Sequence, residues 1–223
     1  MARVVGADVW KKGWIAVVTV DGWIASIDAY DTMSDLSSAE TDAEVIAVDI
    51  PIGLPIAPPR AADAAARRFI GARGSSVFPT PPRDVLEQGT YKEALRFSRK
   101  RYGVGLTAQS YALRERILET DAVARSDPRV IEMHPEVTFR AIAGRPLKFS
   151  KRTWNGHSER RRLLSGAGLS LPDRLPDAVG SVPADDILDA TAGVWTAARY
   201  AAGDARTVPD EMPLPGFGEV IWY

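Results

Sequence analysis

The sequence predicts an α/β domain built on a mixed sheet, and three observations carry that expectation. Arg3–Val9, Gly13–Val20 and Trp23–Tyr30 are consecutive strand-like runs, and Asp21-Gly22 is a favoured hairpin turn, so the three form an antiparallel meander. A polar stretch from Asp31 to Glu40, with Thr32 or Ser34 as a helix cap, leads into the apolar run Glu44–Ile50; a helix there makes this fourth strand parallel to the first. Most of the remaining chain has helical periodicity, interrupted by proline-rich loops.

With 223 residues, 45% of them hydrophobic, the chain can bury the core of one large domain spanning 1–223. A formal net charge of -1 excludes a uniformly basic surface, so any affinity for nucleic acid has to be local. The absence of cysteine removes disulfides, thiolate metal sites and a cysteine nucleophile. Neither a secretory signal nor a membrane-length apolar run is visible, which makes the cytoplasm the expected location.

A right-handed crossover lays strand four beside strand one and brings Asp8 and Asp49, each penultimate in its apolar run, to a similar level. Pro51–Pro59 ends the strand in an ordered loop. Arg60–Arg73 reads as a helix ending near Gly71 or Gly74, and Ser75–Arg83 as a stiff loop. Thr90–Arg101 and Leu106–Arg125 are helical and form an insertion or lid over roughly 84–126. Arg129–Met133 is a fifth strand, ended by His134-Pro135-Glu136, with a short helix over Val137–Ala143. From Arg145 to Arg162 the chain gathers seven Arg and Lys residues against Glu159, a basic stretch that the net charge conceals. A proline-containing linker then reaches Asp185, which opens an apolar helix to about Ala202; Glu219–Tyr223 reads as an edge strand.

Asp186 and Asp189 lie three apart on that last helix and share one side of it near its amino end. With Asp8 and Asp49, four carboxylates converge where strand ends meet a helix start, a repulsion tolerable only with protons or bound cations. Oxygen-only ligands without a histidine cluster suit Mg²⁺ or Mn²⁺ rather than zinc. Taken singly, each acid has a blander role: Asp185 or Asp186 as a helix cap, Asp8 in a turn, Asp49 accepting backbone hydrogen bonds from the Pro-Gly loop. The combination in this chain order favours metal-dependent phosphoryl chemistry.

The stretches Val5-Gly6-Ala7-Asp8 through Gly13-Trp14, Val48–Pro55, Ser75–Pro79, His134-Pro135-Glu136 and Asp186–Ala190 together resemble domain-of-unknown-function family four-two-nine, described as predicted nucleases with an RNase H-like fold. The resemblance runs nearly end to end. It implies a five-stranded mixed sheet in the order three-two-one-four-five flanked by helices, with carboxylates on strand one, near strand four and on the last helix, which fits Asp8, Asp49, Asp186 and Asp189. Holliday-junction resolvases of that superfamily usually carry Glu on strand four, where this chain has the shorter Asp49.

The expected function is therefore a metal-dependent phosphodiester hydrolase, a nuclease acting on DNA, RNA or a hybrid. Glu136 and His134 are secondary candidates, His134 to orient a phosphate or shuttle a proton, or as a structural histidine. Arg73, Arg83, Lys151 and Arg152 are candidates for binding substrate phosphates, against the ordinary role of solvating a surface. Trp154 and Tyr91 are candidates to stack on bases or to sit in the core. Ser75-Ser76 has no base tied to it by a motif. Two other classes compete. One is phosphotransfer of the actin-like and sugar-kinase type, which lacks its Asp-x-Gly-x-Thr hairpin here; the other is a non-catalytic nucleic-acid or protein-binding module using Arg145–Arg162.

Overall fold

Strands β1 (Arg3–Trp10), β2 (Gly13–Val20) and β3 (Trp23–Tyr30) form the expected antiparallel meander in the computed structural model, which describes residues 2–11, 13–210 and 220–223. Helix α1 (Met33–Ala39) starts at Thr32, whose hydroxyl accepts from the Asp35 N–H while the Asp35 carboxylate accepts from the Thr32 N–H. That reciprocal cap sets the crossover, and β4 (Val45–Val48) returns parallel to β1. β5 (Val130–Glu132) adds a further parallel strand, so the sheet runs β3-β2-β1-β4-β5 and is mixed.

Between β4 and β5 lie α2 (Ala61–Ile70), a 3-10 turn over Gly71–Ser76, and α3 (Arg83–Leu86), α4 (Tyr91–Tyr102), α5 (Ala108–Ala112) and α6 (Arg114–Ser126). After β5 come α7 (Pro135–Ala143), α8 (Trp154–Gly166) and α9 (Ala184–Ala201), then β6 (Thr207–Val208) and β7 (Ile221–Trp222). The sheet is covered on both faces. Val4, Ile15, Val17 and Ala47 pack toward Leu188, Val194 and Ala197 of α9, whereas Val5, Trp14, Val18 and Ile46 pack toward Met33 and Leu36 of α1 and Ile117 of α6. Double-sided cover is why β1, β2 and β4 read as nearly continuous apolar runs instead of alternating ones.

Helix α9 sits directly on β1 because glycines meet there. A Cβ on Gly6 would overlap the Ala190 carbonyl oxygen and the Val194 nitrogen, and one on Gly193 would come within 2.8 Å of the Gly6 Cα. This contact sets the depth at which the helix presents its first turns to the end of β1.

Several expectations need correction. Regular pairing in β4 stops at Val48, although the Asp49 N–H still donates to the Ala7 carbonyl at 3.0 Å. The helix expected over Leu106–Arg125 is two, separated at Leu113. Helix α7 begins at Pro135, because a proline fits the first helical position and the His134 Nδ1 accepts from the Glu136 N–H at 3.2 Å. The basic stretch contains a helix, α8, which the density of charge concealed. The carboxyl tail pairs with β6 as a separate two-stranded sheet and meets the end of β5 through one bridge, Met133 to Trp222; Glu219 lies outside the described residues.

Candidate functional site

Parallel pairing of β1 with β4 decides the first half of the site. Ala7 is level with Val48, so the next residues, Asp8 and Asp49, emerge side by side at the carboxyl ends of adjacent parallel strands. The Gly6 and Gly193 contact decides the second half, by holding α9 close enough for Asp189, one turn nearer the helix start than Gly193, to reach them. Carboxylate oxygens of Asp8, Asp49 and Asp189 lie within 4.8 Å of one another. Asp8 and Asp189 are 7% and 1% exposed, so two of these charges are almost wholly removed from water.

Asp186 stands a turn earlier on α9. It is half-buried and lines the same cavity, but its carboxylate is outside the group of three. Neither Asp185 nor Asp186 caps the helix, whose N-cap is Pro183 with no side-chain hydrogen bond. The bland role for Asp49 also fails: the loop N–H groups of Ile52 and Gly53 donate instead to Glu132 and Asp121, at 2.7 and 2.9 Å.

The electrostatics follow from burial and crowding. Burial, then repulsion from Asp49 and Asp189, holds the Asp8 carboxyl well above the usual carboxylate range. Burial and the Asp189 charge push Asp49 up to about 8. Asp189 is raised to about 6, burial outweighing the ammonium of Lys151, which is ion-paired to its Oδ2. Burial alone would lower the Lys151 pKa, but the Asp189 carboxylate holds it above its ordinary value. One lysine against three acids leaves two charges to be matched by protons or by a cation. The remaining oxygen of Asp189, Oδ1, is buried without a hydrogen-bond partner, whereas Asp8 Oδ1 accepts from the Val9 N–H at 2.7 Å. Three hard carboxylate oxygens around a deficit of positive charge, one of them unpartnered, fit a hard divalent ion.

The cluster lies in a cavity of about 440 Å³. Phe78, Gln109 and Leu113 form part of its wall, and Arg73, Lys151 and Arg152 bring positive charge to it. Arg83 is not among these: it is ion-paired to Asp121, which holds α3 against α6. Glu136 lines the cavity but is committed to two arginines, accepting from the buried Arg160 at 2.5 Å and from Arg73 at 3.1 Å. Burial drives the His134 pKa down to about 4, which keeps its imidazole neutral near pH 7. Ser75 and Ser76 line the cavity too, and the Ser76 hydroxyl is buried without a partner. Tyr91 is not core; its hydroxyl donates to the Leu106 carbonyl at 2.9 Å, away from the cavity. Trp154 is exposed at the start of α8.

Sequence reasoning missed Arg60. Fully buried, it donates to the Ile52 and Gly53 carbonyls and to Asp63 and Glu132, tying the loop after Asp49 to the end of β5. The available signal is an arginine directly after Pro58-Pro59, at a position that local pattern alone assigns to a helix start. The basic stretch is also less of a surface patch than its composition suggests, since Arg160 is internal and Lys151 is drawn to Asp189.

Among the described residues no helix is long and apolar enough to cross a membrane. A family model described as a protein of unknown function, DUF429, matches residues 6–213. No curated protein and no solved structure is significantly similar to the chain.

Proposed function

The chain belongs to the DUF429 family, and from that premise and the carboxylate geometry we propose a divalent-metal-dependent phosphodiester hydrolase acting on nucleic acid, with Mg²⁺ or Mn²⁺ as the cation. The supporting observation is the convergence of Asp8, Asp49 and Asp189 within 4.8 Å, with Asp189 Oδ1 buried and unpartnered. These three side chains would hold the metal, which when bound supplies Lewis-acid polarisation of a phosphoryl oxygen and lowers the pKa of water.

The other residues act on substrate. Once Asp189 no longer depends on Lys151 for neutralisation, the Lys151 ammonium is free to face a phosphate oxygen within the same cavity. Arg152 is exposed at the wall and has no ion pair among the described residues, which leaves its guanidinium for a substrate phosphate. Arg73 can bridge Glu136 and a phosphate, because a guanidinium carries five donors and Glu136 engages its Nε. His134, neutral and capping α7, holds the wall in place instead of carrying charge.

The test is cleavage of single-stranded and duplex DNA, RNA and hybrid probes with Mg²⁺ or Mn²⁺. Activity should vanish in EDTA and in Asp8→Asn and Asp189→Asn proteins that keep the wild-type circular dichroism. A panel showing no cleavage that depends on both metal and carboxylates refutes the hydrolase.

A further inference from the structure

The outer face of α8 carries a feature that the carboxylate site does not use. Trp154 is 83% exposed at the first position of the helix. On one side its indole borders a depression shared with His157, Arg161 and Arg162; on the other it borders one shared with Arg145, Lys148 and Phe149. The acid in these walls, Glu159, is buried and already paired with Arg145 at 2.6 Å. Arg161 pairs with an exposed Asp173, an exchangeable contact, and Lys148 lies over the Phe149 ring at 5.3 Å. Among the described residues Lys148 and Arg162 have no carboxylate partner. A flat aromatic ring thus stands open between cations, the combination that stacks a base while neutralising its phosphates.

The platform adjoins the cavity along the chain. Ser150, Lys151 and Arg152 line the cavity wall, and only Thr153 separates Arg152 from Trp154. Two residues span about 7 Å at most, roughly one nucleotide step.

We infer that this face of α8 binds single-stranded nucleic acid, Trp154 stacking on an unpaired base while Lys148, Arg161 and Arg162 follow the phosphates, and that it leads one strand toward the carboxylate cavity. The inference rests on the phosphodiesterase reading for its second half. A duplex keeps its base faces inside the stack, where an indole cannot reach them, and the deeply set Asp8 and Asp189 are accessible to a flexible strand far more readily than to a rigid helix. The excess of cations over free carboxylates excludes a basic partner and favours a polyanion.

The test is fluorescence anisotropy with labelled single-stranded and duplex oligonucleotides of equal length, in EDTA so that no cleavage intervenes, with polyglutamate as a second polyanion. The single strand should bind at least tenfold tighter than the duplex, Trp154→Ala should weaken it about tenfold and Trp154→Phe should restore most of the loss. K148E/R162E should flatten the salt dependence. Equal affinity for duplex, indifference to Trp154→Ala in a folded protein, or polyglutamate competing as well as the oligonucleotide would overturn the inference, the last pointing to an acidic protein partner. Trp154-dependent binding without cleavage of any probe would uphold the platform and refute the hydrolase; metal-dependent cleavage untouched by Trp154→Ala would do the reverse.

Discussion

Replacing Asp49 by asparagine in the metal-free protein should stabilise it near pH 8, although the residue lies at the centre of the site. The Asp49 carboxyl is raised from 3.8 to about 8 by burial and by the Asp189 charge. Its native form therefore holds a proton that the unfolded chain has lost, and the stability this proton confers, full below about pH 4, drains away as pH rises toward about 8. The useful window is about pH 6.5 to 8, because His134, lowered to about 4, acts in the opposite sense only below its unfolded value of 6.5. Across that window Asp49 alone should cost the wild type about 1.5 kcal/mol; Glu132, raised to about 7, should add less than about 1 kcal/mol in the same direction, and Asp8, held well above the usual carboxylate range, adds to the same fall. For a chain of this length Asp49 and Glu132 together account for a fall in Tm of about 3–9 °C. Thermal melts in EDTA at both pH values would measure it, with Asp49→Asn expected to lose much of the slope and to melt above wild type at the higher pH. Adding Mn²⁺ should raise the wild-type Tm, most at high pH where fewer protons have to be displaced, and should do little for Asp49→Asn. If Asp49→Asn is no more stable than wild type at pH 8 in EDTA, or if Mn²⁺ and Mg²⁺ leave the wild-type Tm unmoved, the account of three crowded acids awaiting a cation is wrong.

Three further outcomes are expected. Arg60→Ala should lower stability by about 3–5 kcal/mol in urea melts, because it strands Glu132 and Asp63 in the interior, and Arg60→Lys should recover little since it lacks the planar fork that serves two carbonyls and two acids at once. Gly6→Ala should either prevent folding or, where protein is recovered, abolish any metal-induced Tm shift, since a Cβ there pushes α9 and Asp189 away from Asp8. His134→Asn should keep the α7 cap and most of the activity, while His134→Ala should cost about 1 kcal/mol of stability; a large fall in kcat for His134→Asn would instead make the imidazole a proton carrier.

The three-strand meander was legible because period, turn chemistry and length agreed: Asp21-Gly22 sits where Asp21 adopts a φ of 50 and Gly22 one of 83. The α1 crossover was legible from Thr32 or Ser34 as a helix cap, and the structure settles on Thr32, a local cap that needs no tertiary partner. The break at Leu113 and the helix within the basic stretch were not, since both depend on what each segment packs against: Arg160 of α8 is internal because Glu136 receives it, and nothing within α8 itself announces that. Which partner each cation holds was not legible for the same reason. Arg83, Arg73, Lys151 and Arg152 look alike as sequence, yet one holds Asp121, one Glu136, one Asp189, and one faces the cavity without an ion pair among the described residues.

By itself the sequence determined which acids could meet. Asp8 and Asp49 end adjacent strand-forming runs, and the helix carrying Asp186 and Asp189 is apolar enough to be drawn onto the sheet, all consequences of short-range pattern. Only the tertiary structure decided which of them do. A helical spacing of three places two carboxylates on one side without saying how deep either lies, and it is the glycine contact between β1 and α9 that sinks Asp189 beside Asp8 and Asp49 and leaves Asp186 at the cavity wall. Depth is a property of packing between distant segments, and depth is what turns these acids from solvated charges into a cluster that must hold protons or a cation.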